Sequence, residues 1–78
     1  MKNDVEAEKC IIEACRLLTE IHIPLNSTTV PNKAITIFYK NNGCDNTSER
    51  IYNQINTMII NGKLKQSTVD FKAWSLSA

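Results

Sequence analysis

The 78-residue sequence predicts a single α+β domain over residues 1–78, three helices followed by a two-stranded β ribbon. Three patterns predict it. Apolar residues recur at helical spacing in residues 5–22 and again in residues 46–64. A Pro31-Asn32 start and an Asn42-Gly43 stop bracket a shorter helical stretch between them. Residues 63–78 alternate apolar with polar around a polar tip, the signature of paired strands.

The first helix is expected over residues 5–22. Ala7, Cys10, Ala14, Leu17 and Ile21 line one face, with Ile11 and Leu18 at its edge, and Glu8, Lys9, Glu13, Arg16 and Glu20 lie opposite. Asn3 or Asp4 would cap it, and Pro24 would end it. Val5, Ile12 and Cys15 form a second apolar stripe on the charged side, a candidate dimerisation surface. Residues 23–31 mix turn and β-branched residues and predict a loop with a short strand near residues 28–30.

Residues 32–42 predict the second helix, with Ala34, Ile35 and Phe38 inward. A strand competes for residues 34–39, where β-branched and aromatic side chains abound, but the start and stop signals favour a helix. Gly43-Cys44-Asp45 then makes a tight turn. Two helices joined through a glycine-containing turn form a helix-turn-helix layout.

The third helix opens on Asn46-Thr47-Ser48-Glu49, the pattern of a capping box. Ile51, Ile55, Met58 and Ile59 mark its inner face, and Gly62 stands where a left-handed cap belongs. The side opposite Ile55 carries Arg50, Asn53 and Thr57, flanked by Gln54 and Asn61. That side is rich in amides and poor in charge, whereas an ordinary solvated face carries Glu and Lys. Side-chain amides can make two hydrogen bonds to one base edge. In the ribbon, Trp74 and Leu76 share one face and would cover the helices, and Lys72 lies on the same face near the tip.

Composition sets the limits. With 42% apolar and 22% charged residues the chain is globular. It holds no run long enough for a membrane span and no apolar signal-peptide core, so a cytoplasmic protein is expected. Cys10, Cys15 and Cys44 form no Cys-x-x-Cys unit, and His22 is the single histidine. No metal site or cofactor is therefore expected, and the thiols are expected to act as small hydrophobes. The net charge of +1 is unevenly spread: residues 1–32 carry −2 and residues 33–78 carry +3. The second half is the side to which a phosphate-bearing partner would come.

In element order and size the chain resembles a winged helix-turn-helix. It is most similar to the small fimbrial-operon regulators of enterobacteria, the Pap pilus regulator type. The segments that carry the likeness are the third helix running into Asn61-Gly62-Lys63-Leu64 and the returning strand Lys72-Ala73-Trp74-Ser75-Leu76. The resemblance implies transcriptional regulation through duplex DNA, with the third helix in the major groove. On this chain Thr47, Ser48, Arg50, Asn53, Gln54 and Thr57 would read bases, and Lys33, Lys65 and Lys72 would hold phosphates. The Z-form-binding branch of the same fold carries Lys, Asn and Tyr at four-residue steps, where this chain has Ser48, Tyr52 and Asn56.

The competing expectation is a protein-binding adaptor or antagonist, since winged helices also resemble small connector proteins that do not bind DNA themselves. Ile60 on the outer side of the third helix and Ile12 on the first support it. With so few cations a monomer would bind DNA weakly, so a homodimer or a larger regulatory partner is expected. An enzyme is not: the chain has no Ser/Cys–His–acid set, no glycine-rich phosphate loop and no paired carboxylates, and no small-molecule substrate is expected.

Overall fold

The computed structural model describes residues 4–43, 46–66 and 74–76. Three helices, α1 (Val5–Glu20), α2 (Thr29–Asn42) and α3 (Thr47–Ile60), lead into an antiparallel pair of strands, β1 (Leu64–Gln66) and β2 (Trp74–Leu76). This is the α+β layout that the sequence predicts.

Asp4 caps α1, its carboxylate accepting from the Ala7 N–H at 3.2 Å. The helix stops at Glu20, short of Pro24. His22 there adopts a left-handed conformation (φ 59°), its N–H reaching Thr19 O while the Ile23 N–H reaches Leu18 O. That pair of bonds is a Schellman motif with histidine in the glycine position. The buried face is Ala7, Cys10, Ile11, Ala14, Cys15 and Leu18, whereas Leu17 is half-buried and Ile21 exposed. The expected face is therefore turned. α1 packs against both α2 and α3, so its buried arc is wider than a single contact would make it and centres on Ile11 and Leu18.

No strand forms at residues 28–30. They open α2 instead, three residues before the expected start, with Val30 and Pro31 buried in the first turn. The cause is Asn26. Its side-chain oxygen accepts from the N–H groups of Thr28 and Thr29, both at 2.8 Å, and Thr29 Oγ1 accepts from the Asn26 N–H at 3.1 Å. This reciprocal pair works as a capping box upstream of the proline. Gly43 (φ 53°) closes α2 through its N–H to Tyr39 O at 2.7 Å.

α3 begins at Thr47 as expected but without the expected capping box. Asn46 is left-handed (φ 65°) and its side chain makes no cap bond. At the other end Gly62 (φ 79°) and Lys63 bond back to Ile59 O and Met58 O, a second Schellman motif. The turn delivers Leu64, buried, into β1, where it pairs with Leu76. Trp74 is buried, and its N–H donates to Leu25 O at 2.7 Å, tying β2 to the α1–α2 connection. The core is one cluster built around Ile11, Phe38, Ile51, Met58, Leu64 and Trp74. No helix among the described residues is long and apolar enough to cross a membrane.

Candidate nucleic-acid interface

The outward face of α3 is where the sequence places the site, and the structure divides the named residues into two groups. Ser48 and Asn53 are exposed, beside Glu49, Tyr52, Asn56 and Ile60. Thr47, Gln54 and Thr57 are buried, Gln54 to 1% exposure. These three cannot read bases from where they stand, which corrects the expectation for half of the reading set. Successive residues lie about 100° apart, and the buried arc centres near Thr47, Met58 and Gln54 rather than on Ile55. Thr57 closes on its own helix, its Oγ1 donating to Asn53 O at 3.1 Å.

Gln54 and Arg50 face the start of α1. The Gln54 side-chain oxygen accepts from the Asp4 N–H at 2.8 Å, and its Nε2 lies 3.5 Å from Glu8 Oε1. Arg50 is half-buried. It grips Asp4 with two nitrogens, Nε to Oδ2 at 2.8 Å and Nη2 to Oδ1 at 3.0 Å, and its guanidinium lies 4.6 Å from the centroid of the Phe38 ring. A planar fork meeting a carboxylate on two bonds is the strongest geometry such a pair adopts. It holds the Asp4 carboxyl below its ordinary range, chiefly through the bonds from Arg50. At the far end of α3 the Lys63 ammonium meets Glu8 Oε1 at 3.0 Å.

Of the proposed phosphate contacts, Lys33 is half-buried near the start of α2 and Lys65 is exposed on β1, and neither is ion-paired among the described residues. Lys72 lies outside the described residues, as does Cys44. Lys40, exposed in the last turn of α2, is a further cation of the positively charged second half. Tyr52 and Asn56, which are not among the contacts named from the sequence, are exposed on the same face. Their signal was the four-residue step Ser48, Tyr52, Asn56, which lines one exposed strip of the helix.

The partner stripe divides too. Val5, Ile12 and Ile60 are exposed, Ile60 to 70%, but Cys15 is 1% exposed and belongs to the core. Burial pushes its thiol up to about 11, so it is protonated and unreactive at neutral pH. Cys15 forms the floor of an open apolar groove of about 490 Å³ between α1 and β2, with Ile12, Leu25 and Leu76 along its walls. Arg16, tied to Glu13 and Glu20, stands at its edge.

Comparison with protein-family models, curated proteins and solved structures finds no match. An exposed helix face bearing a hydroxyl, a phenol and two carboxamides can make directed hydrogen bonds to a partner. Neither the Asn53 nor the Asn56 carboxamide is bonded within the described residues. Among those residues no cluster of three metal-ligating side chains occurs.

Proposed function

We propose that the chain is a winged-helix DNA-binding regulatory domain that presents α3 to the major groove. The observation that carries this reading is the exposed strip of Ser48, Tyr52, Asn53 and Asn56, hydrogen-bonding side chains left open along one face of a rigid helix. Asn53 and Asn56 are the adenine-reading candidates, since a carboxamide matches the adenine N6/N7 edge on two bonds. Ser48 contacts a base or phosphate at the N-terminal end of the helix, and Tyr52 stacks or packs beside it. Lys33, Lys65 and Lys72 hold phosphates and set orientation without specifying sequence. So small a set of cations makes monomer binding weak, and a second copy or a larger regulator would supply the remaining affinity.

The test is fluorescence anisotropy at low salt with duplexes enriched by selection from a random pool. The double variant N53A/N56A is expected to lose discrimination between selected and random duplex, by about 10-fold or more, with residual binding retained. Discrimination unchanged in that variant would overturn the reading.

A second reading is favoured by one observation. The same face carries Glu49 and the 70%-exposed Ile60, and no lysine, as suits a protein partner better than a phosphate backbone. Under that reading the chain is a protein–protein adaptor. DNA binding weakens steeply with salt, whereas an apolar protein interface is nearly indifferent to it.

A further inference from the structure

The two cations that bracket α3, Arg50 near its start and Lys63 beyond its end, are both engaged by acids from the beginning of α1. Asp4 takes Arg50 on two bonds at 2.8 and 3.0 Å, and Glu8 takes Lys63 at 3.0 Å. Gln54 lies between the two pairs, accepting from the Asp4 N–H and reaching toward Glu8. A carboxylate presents its oxygens to a guanidinium much as a phosphate does. The four side chains are partly open to solvent, so a partner oxyanion can reach the cations without unfolding the core. Asp4 precedes the first helical residue, so the Asp4–Arg50 pair can open without movement of α3.

We propose that Asp4 and Glu8 are an intramolecular competitor that withholds Arg50 and Lys63 from phosphate oxyanions, so that full nucleic-acid affinity requires the acidic start of α1 to let go. Its use in regulation rests on the DNA-binding reading above, while the competition itself is a property of the four side chains.

The variants D4N and E8Q test it. Each keeps the shape of its side chain, and asparagine remains a good helix N-cap, so the fold survives. E6Q is the control, because it removes the same charge from the same exposed turn without touching either cation. Two measurements are made. One follows the Arg50 Nε–Hε resonance by NMR while sodium pyrophosphate is added. The other follows duplex binding against salt.

The expected result is an Arg50 resonance that shifts with pyrophosphate in D4N at concentrations that leave the parent and E6Q unmoved. In the duplex assay the slope of log affinity against log salt should steepen by about 0.9 for each cation released. R50Q placed in the D4N background should cancel the gain. An Arg50 response equal in parent and D4N overturns the competition, whatever the duplex assay shows. A response in D4N with no duplex binding by any variant upholds the competition and overturns the DNA-binding reading instead.

Discussion

Asp4 concentrates several jobs in one carboxylate. It caps α1 through the Ala7 N–H, grips Arg50 on two bonds, and lends its own N–H to Gln54. Because Arg50 favours the charged form, the folded carboxyl titrates below its ordinary value of 3.8. The stabilisation is then fully present well above pH 3.8 and is lost as pH falls through the lower folded value. Urea titrations of parent and D4N should therefore differ most near neutrality and converge as the medium becomes strongly acid. A gap that stays constant down to pH 2 would mean that the ionised carboxylate contributes nothing. Gln54 gives a sharper contrast. Q54L leaves the Asp4 N–H without its acceptor and is expected to cost about 1–2 kcal/mol in urea unfolding. Under the DNA-binding reading, the preference of the folded variant for selected over random duplex should nevertheless equal the parent's, since Gln54 faces inward. Loss of site preference in Q54L would restore Gln54 to the reading set.

At the scale of elements, the sequence located all three helices and the ribbon because caps, stops and apolar spacing are local signals. What it misjudged was rotation. Gln54 and Thr57 looked outward because they are polar, yet the acceptor role of Gln54 is to an N–H fifty residues earlier in the chain. A polar side chain serving a distant backbone group cannot be told from a solvated one by helical spacing alone. The missing strand at residues 28–30 has the same kind of cause, since the Asn26 box that starts α2 lies upstream of the more conspicuous proline. The open strip Ser48, Tyr52, Asn56 was legible as a spacing but not as an orientation. α1 also ends on a signal hidden in the sequence, His22 in the left-handed position where glycine would be expected. A side chain there carries strain of about 1–2 kcal/mol, partly offset by the greater entropy glycine loses on folding. H22G should thus raise the unfolding free energy by about 0.5–1 kcal/mol, read as a higher urea midpoint at unchanged slope. A lowered midpoint would show that the imidazole makes a contribution outweighing its backbone strain.

For the whole molecule the decisive question is whether the ribbon belongs to the same cooperative unit as the helices. A chain of 78 residues has only about 4–12 kcal/mol of stability in total. Trp74 is buried in the common core, and its N–H is bonded to Leu25 O in the α1–α2 connection, while Leu64 enters that core directly from the α3 cap. Trp74 thus ties the last described strand to the first loop by its backbone N–H and to the helices by its buried ring. W74A should remove about 3–5 kcal/mol, a large part of the whole, and lower the melting temperature by at least about 12 °C. W74F, which keeps a ring in the same pocket, should cost far less. If the ribbon merely lay against a self-sufficient three-helix bundle, both variants would melt close to the parent. The α3 strip would then owe its orientation to the helices alone. A single, strongly lowered transition in W74A, with W74F intermediate, would instead mean that the ribbon's tryptophan helps hold α3 outward, so that surface and anchor form and melt as one unit.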